Sequence, residues 1–246
     1  MKPALKIAWR YLFAKKQFNA IHIITAISSV AVGVVTAAMI CVLSVMNGFG
    51  VMIEELFSQF DPDLRITAKA GKSFIINKET KSQLLSIPSI NLVSESITET
   101  ALAYFEEKQM PVQLMGVDSV FGQLTGIENI ITDGHYEVFD GAFDRAVLGQ
   151  GLAWKLGIGV HFIHGIEVYA PKREGKVNML RPDVNFNSER CFIAGTFAVN
   201  QQKYDENLML VDIDLARRLL DYETTEVTAL QVGVAEGYSI RRAKRD

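Results

Sequence analysis

The dominant pattern in the chain is a long apolar run near its N-terminus. No Asp, Glu, Lys or Arg occurs from residue 17 to residue 53, and residues 23–43 are apolar except for Thr, Ser and Gly. A helix over residues 23–43 rises about 31 Å, which matches the hydrocarbon core of a bilayer. A cleaved signal peptide has a shorter apolar region, and a lipoprotein anchor has a small residue where Ile40 precedes Cys41. The pattern therefore predicts a transmembrane helix over residues 21–48.

Charges on the two sides of this helix predict its orientation. Several basic and no acidic residues precede it, whereas acidic residues follow it before the first base, Arg65. The side with the excess of Lys and Arg stays in the cytoplasm. We expect residues 1–20 to be a cytoplasmic basic segment that lies in the interface or only fixes the topology. Residues 49–61 then form a stalk helix that ends at Asp61-Pro62, because the residue before proline avoids the helical region, and the remainder is exported.

Small side chains lie along one side of the predicted membrane helix. They recur every fourth residue, which places them on one face. Small residues at this spacing allow a second membrane helix to approach closely, although the same face is also compatible with lipid exposure. The predicted helix-packing face consists of Thr25, Ser29, Gly33 and Ala37.

After residue 61 the pattern alternates between strands and helices. A strand, a helix and further strands are predicted at 63–69, 78–86 and 91–105, and the same order returns at 208–211, 212–220 and 227–234. Two β-α-β units predict an α+β fold with the helices on one face of a sheet. The intervening residues predict strands at 108–117, 162–170 and 190–199, a helix at 149–156 and a long polar loop at 171–189.

This alternation predicts the division of the chain into domains. We expect one α+β subdomain made of residues 62–106 and 200–236, a mainly β subdomain inserted at 107–199, and a basic tail at 237–246. The chain of 246 residues has a net charge of −3, so nothing in its charge indicates a nucleic acid partner. Cys41 lies in the membrane helix and Cys191 in a predicted strand, so we expect no disulfide bond.

No motif in the sequence supports an enzyme. Residues 70–73 (AGKS) resemble the end of a phosphate-binding loop but lack its leading glycine and the helix that must follow. His161 and His164 fall on opposite faces of a strand, which does not suit one metal ion. Residues 149–151 (GQG) lack the third glycine of a dinucleotide-binding motif. We therefore expect no catalytic residue, no metal site and no cofactor.

Several short motifs resemble one family of membrane proteins. Residues 44–49 (SVMNGF) are similar to the signature of LolC/LolE-type lipoprotein-releasing permeases, which belong with the MacB-like group of ABC transporter subunits. The similarity continues at 112–118 (VQLMGVD), 147–157 (VLGQGLAWKLG), 192–197 (FIAGTF), 204–211 (YDENLMLV) and 216–220 (ARRLL). It covers nearly the whole chain in the order and spacing of the family.

The resemblance implies a permease subunit of a bacterial inner membrane with a porter-like periplasmic part. In the family, two permease subunits, identical or different, assemble with cytoplasmic ATPases that use the ATP. They extract lipoproteins from the membrane and pass them to a periplasmic carrier. Family members continue into three further transmembrane helices, which this sequence, ending at Asp246, does not include. The alternatives are a MacB-like efflux or mechanotransmission subunit, or a single-pass periplasmic scaffold without transport activity.

Two sets of residues are candidates for contact with cargo and carrier. An acyl chain needs an apolar path, since exposing each CH₂ to water costs about 0.8 kcal/mol. The apolar candidates for this path are Met46, Phe49, Met52, Leu56 and Phe60, for which ordinary packing is the alternative. The resemblance also implies that the long loop docks the carrier, whereas a loop without a partner is the alternative. The candidates for docking are Met179, Arg181, Pro182 and Arg190.

Overall fold

A computed structural model of the chain describes residues 7, 10, 20–58, 60–160, 164–173, 185–235 and 237–245, without the side chains at 20–22, 51 and 53–58. The chain divides into two compact units, Met1–Glu54 and Glu55–Asp246. Most of the predicted cytoplasmic segment at 1–20 therefore lies outside the described residues. So does most of the loop predicted at 171–189.

The first long element is helix α1, Ala20–Ser58, which is 39 residues long. Within it, Ile23–Gly50 contains an 18-residue window with a mean hydropathy of 2.4 and exposes its side chains. It is the one helix among the described residues that is long and apolar enough to cross a membrane. The predicted N-terminal apolar helix is confirmed. The backbone stays helical from the apolar run into the predicted stalk, as far as Ser58.

The second unit contains eleven strands, six α-helices and one 3₁₀ turn among its described residues. The strands are β1 (Leu64–Thr67), β2 (Phe74–Ile75), β3 (Ile90–Phe105), β4 (Lys108–Val117), β5 (Ile131–Gly134), β6 (Arg145–Gly149), β7 (Ile166–Pro171), β8 (Phe186–Phe197), β9 (Leu208–Asp212), β10 (Glu226–Val227) and β11 (Ala229–Val234). The helices are α2 (Lys78–Leu85), α3 (Phe121–Thr125), α4 (Gln150–Leu156), α5 (Gln202–Asp205), α6 (Ile213–Leu220) and α7 (Ile240–Ala243), and the 3₁₀ turn spans Ile127–Ile130.

The main sheet has the order β1-β11-β3-β4-β9-β6-β8-β5, and β7 pairs with both β3 and β8. The long strand β3 pairs with β11 along its first half and with β7 near its end, and with β4 along ten positions. The second pairing of β7 closes a circuit of six strands, β3-β4-β9-β6-β8-β7, which leaves no free edge within that circuit.

The interior of this six-strand ring is the main core of the unit. Alternate residues of every strand in the ring point inward, as the period of two in a strand requires. Each strand contributes at least one fully buried apolar side chain, as shown by Ala103, Leu114, Met209, Leu148, Cys191 and Val168. Helices α4 and α6 belong to the same cluster through Leu152 and Leu219. Burial raises the pKa of the Cys191 thiol, and both cysteines are free.

The predicted α+β fold is confirmed. Strand β11 lies between β1 and β3, and β1-α2-β3 and β9-α6-β11 are the two predicted β-α-β units. Both helices pack on the face of β3 that carries Val93 and Ile97. The sheet continues without a break from β3 into β4 and from β9 into β6, across the predicted limits of the inserted subdomain. The division at 107–199 stays a prediction.

Candidate functional site

The candidate cargo residues of α1 lie near the end of its apolar span. The side chains of Met46, Phe49 and Met52 are all more than half exposed. Steps of three residues turn about 60° around a helix, so the three side chains share one side of α1. An exposed, flexible Met and an aromatic ring on one side of a helix form a surface that adapts to acyl chains of different length. Contact with cargo stays a prediction for these residues.

The two remaining cargo candidates lie further along the chain. The side chain of Leu56 lies outside the described residues. Phe60 is only 4% exposed and packs against Phe121, Phe197 and Tyr204, with its ring stacked on that of Phe197 at 5.6 Å between centroids. These contacts match the alternative of ordinary packing in the folded domain. The sequence pattern could not distinguish the two, because an apolar residue after a membrane helix suits both.

Residues next to Phe60 tie the start of the domain to its sheet. Asp61 Oδ1 accepts a hydrogen bond from the Tyr204 hydroxyl at 2.7 Å. Asp63 Oδ2 accepts a hydrogen bond from the Val234 amide at 2.8 Å, at the end of β11. Burial raises the pKa of Tyr204, and the hydrogen bond to Asp61 raises it further. The chain that leaves α1 is therefore held to the domain by one ring and two carboxylates.

The predicted helix-packing face lies on α1 within its apolar span. A Cβ atom added at Gly33 would meet nothing within 4 Å, so the backbone there is open to a close neighbour. Ser29 and Ala37 lie one turn to either side and are exposed. Partner packing at Thr25, Ser29, Gly33 and Ala37 stays a prediction.

A network of charged and aromatic groups fixes the root of the long loop. The Arg173 guanidinium donates to both carboxylate oxygens of Glu226, at 2.7 and 2.6 Å. The same guanidinium donates to the Ser73 hydroxyl at 3.2 Å and stacks over the Tyr222 ring at 4.5 Å. A backbone hydrogen bond from Lys172 to Asn185 closes the loop at 2.9 Å.

Two groups of this network, Glu226 and Tyr222, have shifted pKa values. The hydrogen bonds from Arg173 lower the pKa of Glu226 from 4.5 to about 2, against the effect of burial. Burial raises the pKa of Tyr222 to about 12. A nearly buried carboxylate in a bidentate pair with Arg is the strong form of an ion pair, since both charged partners are satisfied at once. No local sequence pattern indicates this network, because Arg173 and Glu226 are 53 residues apart.

Of the four residues proposed for carrier docking, the structure describes one. Met179, Arg181 and Pro182 lie outside the described residues. Arg190 lies on β8 and forms an ion pair with Glu167 of the neighbouring strand β7. That pair and a hydrogen bond from Tyr169 lower the pKa of Glu167. A role in docking stays a prediction for all four residues.

The motifs rejected as enzyme sites have other surroundings in the structure. After residues 70–73 comes the short strand β2 instead of a helix, and Lys72 pairs with Glu99 at 3.2 Å. His164 lies in a bend before β7, not in a strand as expected, and His161 lies outside the described residues. Within the described ranges, no group of three or more His, Cys, Asp or Glu residues could hold a metal ion.

Two glycines of the family motifs permit close packing of helices. A Cβ atom at Gly116 of β4 would lie 2.4 Å from the Ala216 Cβ of α6. A Cβ atom at Gly149 would lie 2.4 Å from the backbone oxygen of Asp205 in α5. Distances below 3 Å do not occur between such atoms, so both positions require glycine. The motifs therefore preserve the contacts between strands and helices.

The polar residues of the same motifs bind the elements together. Asp118 accepts hydrogen bonds from the Ser94 hydroxyl and from the Glu95 and Val120 amides. Asp205 accepts from the Val199 and Gln201 amides at 2.8 and 3.1 Å. These hydrogen bonds close turns and strand ends, so they account for the presence of Asp118 and Asp205 in the motifs without a catalytic role.

Comparison with known proteins places these features in a family. The profile of the MacB-like periplasmic core domain matches residues 25–246. The lipoprotein-releasing system transmembrane protein LolE of Haemophilus influenzae is 23% identical over an alignment of 245 residues that covers 98% of this chain and 57% of that protein. The transmembrane protein LolC of the same kind of system in Buchnera aphidicola is 24% identical over 97% of this chain and 58% of that protein. The chain thus spans less than two thirds of these relatives.

Two solved structures are similar to part of this chain. The extracellular domain of the noncanonical ABC-type transporter YknZ from Gram-positive bacteria is 13% identical, with a TM-score of 0.49 over 71% of this chain and 80% of that chain. The periplasmic region of MacB from Actinobacillus actinomycetemcomitans is 9% identical, with a TM-score of 0.46 over 70% of this chain and 71% of that chain. Since the profile match covers the second unit and most of α1, the chain belongs to the family of the MacB-like periplasmic core domain.

Proposed function

We propose that this chain is the permease subunit of an ABC transporter that releases lipoproteins from the inner membrane. The observation that carries the proposal is the similarity to LolE and LolC along nearly the whole chain. The arrangement of elements along the chain, in which one apolar helix precedes a folded α+β unit, also supports it. In this function the N-terminus is cytoplasmic, the second unit is periplasmic, and a separate cytoplasmic ATPase uses the ATP. The subunit itself has no enzyme activity and no cofactor.

The exposed side chains near the end of the apolar span support the acyl-chain step. Met46, Phe49 and Met52 offer a lipid-compatible surface on one side of α1. An acylated cargo leaves the bilayer only if apolar groups cover its acyl chains, because moving them into water is costly. We assign to these side chains the role of receiving the chains before transfer to the periplasmic carrier. A second permease subunit supplies the other side of the path.

A second candidate function is mechanotransmission or efflux of the MacB-like kind. The observation that favours it is the attachment of the chain after α1 to the domain sheet through Phe60, Asp61 and Asp63. Such an attachment transmits movement of a helix to the domain without any contact with an acyl chain. A single-pass scaffold without an ATPase is the remaining alternative.

A pull-down from membranes tests the proposal. The full chain, tagged and extracted in mild detergent, is expected to retain an ATPase and a second permease subunit. Depletion of the chain in cells is expected to leave acylated lipoproteins in the inner membrane fraction, and the Phe49→Ala variant is expected to restore release poorly. Retention of an ATPase with normal lipoprotein distribution favours the efflux function, and absence of an ATPase favours the scaffold.

A further inference from the structure

An open cavity of about 250 Å³ lies in the second unit, next to the chain from Phe60 to Pro62. It lies on the face of the sheet opposite to the interior of the six-strand ring. Gln113 and Met115 of β4 line it and alternate with the inward-facing Val112 and Leu114. All residues that line the cavity belong to the second unit.

The floor of the cavity carries buried polar atoms that lack a hydrogen-bond partner among the described residues. Gln231 is only 2% exposed, and its amide nitrogen donates to the Ser96 hydroxyl at 3.1 Å while Oε1 has no partner. Exchanging the amide nitrogen and oxygen leaves one of them unpaired all the same. The Thr98 hydroxyl, which also lines the cavity, is buried and unpaired. Buried polar groups are normally paired, so these two atoms are polar groups of the floor that still require a partner.

The wall of the cavity is apolar and aromatic. Phe60 and Phe121 meet edge to face at 6.0 Å, and Leu208 is buried beside them. Tyr204 adds a ring and a hydroxyl whose hydrogen bond is already used by Asp61. The wall therefore favours an occupant with a short apolar part.

Two cations stand at the cavity without a carboxylate partner. Arg65 and Lys203 are exposed, and neither forms an ion pair within the described part of the chain. Lys203 Nζ lies 4.9 Å from the centre of the Tyr204 ring. The carboxylate of Asp61 is the one acidic group in the lining, so the cavity has a net charge of about +1.

We propose that this cavity binds a small anionic amphiphile. Its phosphate or carboxylate lies between Arg65 and Lys203, and its short apolar part packs on the side of the wall formed by Phe60 and Tyr204. The volume is just below the roughly 300–1,000 Å³ of sites for drug-sized ligands, so a head group and a few carbons fit. The site does not depend on lipoprotein transport, and it would operate equally in an efflux subunit.

Calorimetric titration of the full chain in phosphatidylcholine nanodiscs tests the site, with empty nanodiscs as blank. The probes are hexyl phosphate, inorganic phosphate and hexanol. Saturable binding of hexyl phosphate is expected, with inorganic phosphate and hexanol each at least about tenfold weaker, because each lacks half of the contacts. Absence of saturable binding, as in a cavity that holds only water, overturns the proposal. Equal binding of inorganic phosphate overturns it too.

Variants connect binding to the cavity. Arg65→Gln with Lys203→Gln is expected to weaken hexyl phosphate binding about tenfold or more. The matched control, Arg241→Gln with Lys244→Gln, removes the same charge from α7 and the residue after it, and is expected to leave the affinity unchanged. An equal loss in the control overturns the proposal.

Thr98→Val keeps the proposal testable if the charge variants do not fold. It removes an unpaired buried hydroxyl while keeping the shape, so it is expected to raise the melting temperature and to weaken binding several-fold. Unchanged affinity in this variant contradicts the assigned floor.

Nanodiscs with phosphatidylglycerol then identify the source of the ligand. Loss of hexyl phosphate binding there supports a lipid head group in the site, and retained binding supports a soluble amphiphile.

Discussion

The bidentate pair between Arg173 and Glu226 joins the root of the long loop to the short strand β10, which pairs with β2. Because Glu226 is nearly buried and its partner stands in place only in the folded chain, the pair makes stability depend on pH. The pKa of Glu226 is lowered in the folded state, so its contribution is present above the ordinary value of 4.5 and is lost as the pH falls toward about 2.

Glu226→Gln tests this linkage. The variant is expected to unfold with a free energy lower by about 2 kcal/mol at pH 7, after allowance for the partly exposed Arg173, and the difference from the wild type is expected to shrink between pH 4.5 and 2. Denaturant unfolding of the full chain in detergent at several pH values measures it. Glu107→Gln is the control, because Glu107 is exposed and forms no ion pair within the described ranges. A constant difference across this pH range contradicts the linkage.

Phe60 and Phe49 separate two roles that looked alike in the sequence. Phe60→Ala removes a ring from a buried aromatic cluster and is expected to lower the free energy of unfolding by about 3 kcal/mol. Phe49 is 59% exposed on α1, so Phe49→Ala is expected to leave the stability of the second unit unchanged and to reduce lipoprotein release. Thermal unfolding and fractionation of lipoproteins measure the two effects. Equal loss of stability in both variants would falsify the distinction.

At the scale of elements, regular patterns were predictable and long-range pairing was not. Strand β3 and helix α6 agree with their predicted positions to within a residue or so, because alternation and a helical repeat are local signals. The short elements β2, β5, β6, α3, α5 and α7 were not predicted, since a few residues give no measurable period. The closure of the ring depends on the pairing of Leu102 with Tyr169, which no local pattern contains. For the same reason the cavity floor and the Arg173 network were not predictable.

The packing of α6 on β4 gives a prediction at this scale. Gly116→Ala places a methyl group where the Ala216 Cβ already lies, so it is expected to destabilise the fold by about 2 kcal/mol. Ala216→Gly alone is expected to cost about 1 kcal/mol through helix propensity. The double variant is expected to be more stable than Gly116→Ala, which denaturant unfolding of the four proteins measures as a coupling free energy. Additive losses show that the helix moves away instead of meeting the added methyl group.

At the scale of the whole molecule, the chain combines a long apolar helix that exposes its side chains with a domain that has a closed core. The second unit buries its apolar side chains within itself, whereas the span Ile23–Gly50 exposes its side chains. Lipid covers such a helix on all sides only if no protein partner is present. We expect a second membrane helix to pack on the row of Thr25, Ser29, Gly33 and Ala37, because small side chains at this spacing allow a close approach.

Gly33→Leu tests this side of α1. A leucine at the centre of the row blocks the close approach of another backbone, so the variant is expected to retain several-fold less of the second permease subunit in a pull-down from mild detergent. Val35→Leu is the control, because residue 35 lies about 200° around the helix from residue 33 and is also exposed. Membrane insertion of both variants, measured by a reporter fused after α1, is expected to match the wild type, since both substitutions keep the helix apolar. If Gly33→Leu retains as much partner as Val35→Leu, the row faces lipid and the second subunit packs on another side of the helix.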